Sequence, residues 1–283
     1  MMLLWMMGCE QPVLCWNGSE LGDTGCPAYT DTAQPLEPVI IEPVLSIDDV
    51  VPTLDVLLTE HMPDLQDLRV VFSDVLAGID NNCPGQEGTV FGLLEPCTSS
   101  SGYTYYGVST WATAEREMDG VHEYVYGSGL TSLEITDPAG ELFIAGGTVL
   151  FEGRWDDSML EWTALILGTF HYPPADNWLR DRMSSSLVMT GTSTDTTDSL
   201  VLEGGFSFGE HSVYLSELSW RSGCQEPSGS ILLRDPSGLW FEVELAEDCT
   251  GCGTLSLDGG PTQEACLSTG AILESISARL DPR

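Results

Sequence analysis

The chain of 283 residues carries 44 acidic and nine basic residues, and all nine basic residues are arginines, so its formal net charge is −35. Without lysine, the chain cannot use P-loop nucleotide binding, Schiff-base chemistry with pyridoxal phosphate or a Ser–Lys hydrolase mechanism. The acid excess argues against nucleic acid and anionic membrane surfaces as partners. Because 42% of the residues are hydrophobic, the chain nevertheless has the apolar content that a folded core requires.

Cysteine usage points to an oxidising compartment. Nine cysteines are many for a cytosolic protein of this size, whereas disulfide bonds are common in proteins outside the cytoplasm. An odd number leaves one thiol that cannot pair within the chain. The nine are Cys9, Cys15, Cys26, Cys83, Cys97, Cys224, Cys249, Cys252 and Cys266.

Residues 1–9 suggest a use for the odd cysteine. Residues 1–8 read Met-Met-Leu-Leu-Trp-Met-Met-Gly, an apolar run that ends in a small residue directly before Cys9. The segment resembles the lipobox of a bacterial lipoprotein signal peptide, although it lacks a basic start and its apolar stretch is short. The resemblance implies that Cys9 is the lipid attachment site, which leaves eight cysteines to form pairs. Because Glu10 and not an aspartate follows, it also implies anchoring at the outer membrane or cell surface.

Residues 10–79 divide into a predicted tether and a predicted helical segment. Residues 10–47 contain five prolines and are predicted to form an acidic, proline-rich tether, in which Cys15 and Cys26 are close enough in sequence to form a small loop. Residues 48–79 repeat leucine and other apolar residues at three-to-four spacing, which predicts a helical segment. Asp48 and Asp49 can cap its start, and Pro63 is expected to divide it into two helices.

Residues 80–283 are predicted to form an antiparallel β domain. Apolar residues alternate with polar ones in this region, which is the period of a half-buried strand. Two stretches, 137–140 and 235–238, share the pattern Asp-Pro-x-Gly between alternating runs, and both are predicted to be hairpin turns. The short connections favour a meander. The predicted fold is therefore mainly β, an antiparallel meander arranged as a sandwich or as an open or curved barrel, with one or two N-terminal helices packed on it.

Two short motifs resemble active-site patterns but do not meet their requirements. Residues 205–209 have the spacing of a G-x-S-x-G nucleophile elbow around Ser207. The residues that follow alternate like a strand. The only histidine later in the chain, His211, is four residues from Ser207, which leaves no room between them for the separate acid-bearing segment that this triad needs. Cys249 and Cys252 form a C-x-x-C pattern, but glycines at 251 and 253 favour a loop over the helix of a redox motif.

Disulfide bonding is the simplest role for the remaining cysteines. Cys83 and Cys97 are expected to pair with each other because they lie close in sequence. Two further bonds are expected among a group of four, with a structural zinc site on the same four as the alternative. The four are Cys224, Cys249, Cys252 and Cys266.

Aromatic residues are the last candidates for a binding surface. Tyr103 and Tyr105 share one strand face, and so do Tyr124 and Tyr126. Such stripes either stack on sugars or, as is more usual in sheets, pack against a helix or a second sheet. No pattern predicts a catalytic residue, a metal ligand or a cofactor, and the four histidines are scattered.

These features predict a cell-envelope or surface lipoprotein with a non-enzymatic binding or structural role. Its expected partners are the membrane, through the lipid anchor, and a protein or glycan. One alternative is a lipid carrier with a curved sheet, since Leu165 and Leu167 lie on an otherwise polar strand face. The other is an extracytoplasmic hydrolase whose carboxylates meet only in the fold. An apolar cavity would favour the carrier, and paired carboxylates in a cleft would favour the hydrolase.

Overall fold

The protein is described by a computed structural model that covers residues 41–63, 65, 68, 79–80, 83, 86–87, 90–171 and 183–279. Within these residues, thirteen strands form one sheet in which every strand pairs antiparallel with its neighbours in sequence. The first and last strands are the two edges, and the sheet is not closed into a barrel. The prediction of a mainly β antiparallel meander is therefore confirmed. The signal segment, residues 10–40 of the predicted tether, and Cys9, Cys15 and Cys26 lie outside the described residues, whereas residues 41–47, the end of the predicted tether, are described.

The helices are α1 (Ile47–Glu60) and α2 (Gly270–Arg279). The strands are β1 (Gln86–Glu87), β2 (Val90–Thr98), β3 (Thr104–Met118), β4 (Val121–Thr136), β5 (Leu142–Trp155), β6 (Met159–His171), β7 (Met183–Thr194), β8 (Asp198–Phe208), β9 (His211–Arg221), β10 (Ser228–Arg234), β11 (Trp240–Leu245), β12 (Cys252–Leu257) and β13 (Gln263–Cys266). Among the described residues, no helix has the length and apolar character needed to cross a membrane.

One face of the sheet is the core. Along β7, every second residue from Met183 to Ser193 is buried, and the intervening residues face solvent or are half-buried. Helix α1 contributes apolar side chains to the same core, including Leu54 and Leu58, and His61 at its end stacks on Phe208 with ring centroids 3.8 Å apart. Burial of each such leucine contributes roughly 1.5–3 kcal/mol. The prediction of an N-terminal helix packed on the sheet is thus confirmed.

The start of α1 differs in detail from the prediction. Ser46 and not Asp48 or Asp49 is the residue at the N-cap, and its hydroxyl donates to the Asp49 carboxylate at 2.6 Å. Both aspartates lie in the first turn, where a negative charge interacts favourably with the helix dipole. The helix ends at Glu60, before Pro63, and Leu65 and Leu68 lie in helical backbone beyond it.

Both Asp-Pro-x-Gly stretches form the predicted hairpin turns. In the β4–β5 turn, Gly140 donates its N–H to the Asp137 carbonyl at 3.0 Å, and Gly140 has a φ of 90°. In the β10–β11 turn, Gly238 donates to the Asp235 carbonyl at 2.9 Å, and Gly238 has a φ of 93°. The positive φ of each glycine explains why this residue type occupies the fourth position.

Helix α2 was not predicted from the sequence. Its side chains Leu273 and Ile276 are buried, and its N-terminus is held by Glu226, whose Oε2 accepts the N–H groups of Thr269 at 2.8 Å and Gly270 at 2.7 Å. Asp55 of α1 interacts with Ser268 and Glu226 near the start of this helix. Burial raises the pKa of Asp55, a hydrogen bond from the Ser268 backbone lowers it, and the nearby Glu226 carboxylate raises it, so that its pKa lies above the ordinary value.

Candidate binding site on the outer face of the sheet

The face of the sheet opposite the core, here called the outer face, contains an open groove of about 940 Å³ across β8 to β12. Four glutamates line it, together with serines and small residues, and no lining residue is basic. The lining residues are Val201, Glu203, Ser216, Glu217, Ser219, Ser228, Gly229, Ser230, Glu244, Leu245, Ala246, Glu247, Gly253 and Thr254. We refer to this feature as the glutamate groove.

Irregular strand pairing accompanies the groove. The register of β8 against β9 shifts between Leu202 and Gly204, and the register of β9 against β10 shifts between Ser228 and Ser230. Extra residues of this kind bend a strand and increase its local twist. At Gly229, with a φ of 119°, a Cβ atom would lie only 2.5 Å from the Glu217 carbonyl oxygen, so the close approach of the two strands requires glycine.

The four glutamates of the groove come from three regions of the chain. Glu203 lies on β8, Glu217 on the irregular part of β9, Glu244 on β11 and Glu247 just beyond β11. All four are exposed. Arg221 lies outside the groove and lines a neighbouring cleft of about 160 Å³ that also includes Glu247. The carboxylates therefore give this part of the outer face a concentrated negative charge.

Apolar residues continue the line of the groove towards β5. Leu150 of β5 pairs with Leu165 of β6, which pairs with Val188 of β7, which in turn pairs with Glu203 at the groove. Directly opposed side chains on neighbouring strands have Cβ atoms about 4.5–5.5 Å apart. Leu167, two residues from Leu165 on the same face, is 46% exposed.

The complete line, here called the outer row, changes from apolar to acidic along its length. It begins with three apolar residues on β5 to β7 and continues with glutamates and hydroxyl side chains on β8 to β12. Its members are Leu150, Leu165, Val188, Glu203, Ser216, Ser230, Glu244 and Thr254, and each is opposed to the next except Glu203 and Ser216, which lie at the register shift of β8 against β9. The outer face thus places an apolar surface and an acidic surface side by side.

A second, shallower groove of about 290 Å³ lies beside the outer row. Its hydroxyl groups come from a cross-strand line of Ser184, Ser207 and Ser212, and Tyr214 and Trp240 supply its aromatic surface. Tyr214 is 43% exposed. Ser207 of the rejected G-x-S-x-G motif thus lies on β8, pairs with Ser212 across the β8–β9 hairpin and is not at a strand-to-helix turn.

The predicted aromatic stripes belong to the core. Tyr105 and Tyr126 are 1% and 5% exposed, and they lie next to Tyr103 and Tyr124 at ring-centroid distances of 6.2 and 6.4 Å. Burial raises the pKa of Tyr105 to about 12, with smaller contributions from Tyr103 and Asp80. These buried rings support the packing interpretation, and stacking on sugars is wrong for Tyr105 and Tyr126.

The described cysteines form three disulfide bonds. Cys83 is joined to Cys97, as predicted, with Cα atoms 5.7 Å apart. The group of four forms two bonds, Cys224–Cys249 and Cys252–Cys266. These pairs favour disulfide bonding over a shared zinc site for the four cysteines, because a thiol engaged in a disulfide is not a zinc ligand. Among the described residues, no three His, Cys, Asp or Glu side chains are grouped to hold a metal ion.

The glutamate groove was not predicted, because its four glutamates lie in or next to strands with alternating polar and apolar residues, where exposed acidic side chains are common. The only sequence signal was the glycine content of β8 and β10, at Gly204 and Gly229, which indicates strand irregularity but not its consequence. The chain matches no protein-family model, no curated protein and no solved structure. The geometry of the outer face is therefore the basis for a functional proposal.

Proposed function

We propose that the protein is a lipid-anchored binding protein of the cell envelope or cell surface, and that the glutamate groove is its ligand site. The observation that carries the proposal is a groove of about 940 Å³ with four exposed glutamates, on the face of the sheet opposite the core. Three disulfides are compatible with a location outside the cytoplasm. The lipobox-like segment before Cys9 supports anchoring.

The chemistry of the groove favours a polar ligand over an acyl chain. Carboxylates and serine hydroxyls line it, and placing hydrocarbon against them would remove water from these groups without replacing their hydrogen bonds. The apolar residues that supported a lipid carrier, Leu165 and its neighbours Leu150 and Val188, lie on an open sheet face. We therefore favour binding on the outer face over transport of an enclosed lipid.

The anchor is tested by intact-mass spectrometry of the protein extracted from membranes of its native host. We expect the mature chain to begin at Cys9 and to carry the mass of attached acyl chains. An unmodified Met1 or an unmodified Cys9 at the start of the membrane-extracted chain would contradict lipid anchoring.

The binding site is tested by co-sedimentation of a lipid-free protein with cell envelopes of the native host. We expect the wild-type protein to sediment and the variant E203Q/E217Q/E244Q/E247Q to remain largely in the supernatant. The matched control E117Q/E141Q/E210Q/E274Q removes four charges from exposed glutamates outside the groove. Equal sedimentation of the wild type and the groove variant would show that the groove is not the binding site.

A hydrolase is the second candidate, because the fold brings Glu203, Glu217 and Glu244 from three strands to one groove. Glycosidases use two such carboxylates. The exposure of these side chains is unfavourable for a general acid, which needs burial to raise its pKa. Release of reducing ends from envelope polysaccharide by the wild type, and its loss of more than about 100-fold in E203Q or E244Q, would establish this activity; no release by the wild type would exclude it for that substrate.

A further inference from the structure

We propose that the outer row binds an extended segment of a partner polypeptide that has apolar residues at one end and arginine or lysine residues at the other. The inference rests on the proposed function and names the class of its ligand. The segment would lie across the strands, with its apolar end on β5 to β7 and its basic end in the glutamate groove.

The length of the outer row fits a polypeptide. The row runs from Leu150 on β5 to Thr254 on β12 and therefore crosses seven inter-strand spacings. At about 4.8 Å per spacing the row is about 34 Å long, which is the length of about ten extended residues at ~3.4 Å each. An extended segment also presents alternate side chains to one side, so that about five of them face the sheet.

Charge complementarity determines which end of the segment is basic. Glu203, Glu217, Glu244 and Glu247 line the groove, and none of its lining residues is basic. In a chain with a net charge of −35, this surface repels anionic ligands and attracts cationic ones. Exposed carboxylates offer separate acceptors to several arginine or lysine side chains, and arginine can bind a carboxylate through two parallel hydrogen bonds.

The apolar end distinguishes a polypeptide from a simple polycation. Leu150, Leu165 and Val188 are half-buried neighbours on the outer face, and Leu167 beside them is 46% exposed. Apolar side chains of a partner would remove these surfaces from water, which a polyamine cannot do over the same length. A metal ion is disfavoured because, within the described residues, no three suitable side chains converge on one point.

A fluorescent ten-residue peptide tests the inference directly. In the probe, leucines occupy positions 1, 3 and 5, arginines occupy positions 7 and 9, and serines occupy the other positions, so that the leucines and arginines face the same side of the extended segment. Binding to the full chain is measured by fluorescence anisotropy at 50 and 300 mM NaCl. We expect saturable binding that weakens at the higher salt concentration, because part of it comes from exposed charges.

Variants of the protein and of the peptide probe identify which part of the outer row binds each end of the peptide. E203Q/E217Q/E244Q/E247Q is expected to weaken binding at least 10-fold, and L165T/V188T at least 3-fold, while E117Q/E141Q/E210Q/E274Q changes it less than 2-fold. Urea unfolding confirms that each variant is folded. A probe with glutamates in place of the arginines should bind at least 10-fold more weakly. A probe with serines in place of the leucines should bind at least 3-fold more weakly.

Two results would overturn the inference. The first is that the probe fails to bind, or binds the groove variant as tightly as the wild type. The second is that spermine competes with the probe and replacing the leucines has no effect, which would make the ligand a polycation. If envelope co-sedimentation still depends on the groove in either case, the proposed function stands and only the ligand class is wrong. If co-sedimentation does not depend on the groove, the proposed function itself fails.

Discussion

The β4–β5 and β10–β11 turns have the same sequence pattern and the same backbone hydrogen bonds, but they play different roles in the fold. In the first, Asp137 Oδ1 accepts the N–H groups of Ala139 and Glu141, both at 2.8 Å. In the second, Asp235 Oδ1 accepts from Ser237 and Leu239 in the same way. Asp235 differs in its other oxygen, Oδ2, which accepts the N–H of Val44 at 2.6 Å and of Leu45 at 3.3 Å.

The difference shows that a local pattern determines a turn but not its contribution to the tertiary structure. Asp235 is 2% exposed, whereas Asp137 is half-buried. Through Oδ2, Asp235 joins the segment before α1 to a turn about 190 positions later in the chain. Asp137 has no such distant contact among the described hydrogen bonds. The same residue type therefore stabilises one hairpin in the first turn and two distant regions in the second.

The largest expected effect on stability comes from replacing Asp235, with the replacement of Asp137 as its control. Asp235→Ala should lower the free energy of unfolding by about 2–4 kcal/mol, because four backbone N–H groups lose their acceptor and the contact between two distant segments is lost. Asp137→Ala, the matched control, should lower it by about 1 kcal/mol, since its partners can bond to water. Urea unfolding followed by circular dichroism gives both values. Equal losses would contradict the distinction between the two turns.

Glu226 offers a second test of a carboxylate that acts over a distance. Glu226→Ala should lower the free energy of unfolding by about 1–3 kcal/mol, because Thr269 and Gly270 lose the acceptor that caps α2. Glu274→Ala, at an exposed position of the same helix, should change it by less than about 0.5 kcal/mol. Similar values for the two variants would show that the contact at the helix N-terminus contributes little.

The acid dependence of stability sharpens the comparison at Asp235. Burial raises the pKa of this carboxyl, but hydrogen bonds from Ser237, Val44, Leu45 and Leu239 outweigh it, so that the pKa lies below its ordinary value. The stabilisation is present above the unfolded pKa of about 3.9 and is lost as the pH falls through the folded pKa. Between pH 5 and pH 2, Asp235→Asn should lose less stability than the wild type. Parallel acid curves would contradict this assignment.

The smallest expected effect has the opposite sign and concerns Asp55. Because burial and Glu226 hold its pKa above the ordinary value, its ionised form is unfavourable in the folded protein, and the penalty disappears as the pH falls through the folded pKa. At pH 7, Asp55→Asn should therefore raise the free energy of unfolding by up to about 1 kcal/mol. The gain should vanish below about pH 4, where the unfolded carboxyl is also protonated. A loss of stability at pH 7 would show that the charged form is needed.

Local patterns in the sequence were sufficient for much of the fold. Alternation gave the strands, three-to-four spacing gave α1, and the Asp-Pro-x-Gly pattern gave both hairpins. Proximity in sequence also gave the Cys83–Cys97 pair. Among the other four cysteines, proximity gave the number of bonds but not the pairing, because Cys249 bonds to Cys224, 25 residues away, and not to Cys252.

The features that were missed depend on distant contacts. Helix α2 has no acidic residue in its first turn, and its capping oxygen belongs to Glu226, more than 40 residues earlier. The outer row likewise arises from the pairing of eight strands, and its groove accompanies register shifts that include Glu217, a non-glycine residue with a φ of 50°. Local periodicity contains no information about which residues of successive strands become opposed.

The meander also has a consequence for the order in which the chain can fold. Since every described strand pairs only with its neighbours in sequence, the sheet has a low contact order for a β protein, and each new strand can join the edge of the sheet as it is synthesised. Helix α1 is synthesised before the sheet, but the N–H groups of Val44 and Leu45 can bond to Asp235 only after the β10–β11 turn has been synthesised. Helix α1, which precedes the whole sheet in the chain, is therefore among the last of the described elements to be fixed in place.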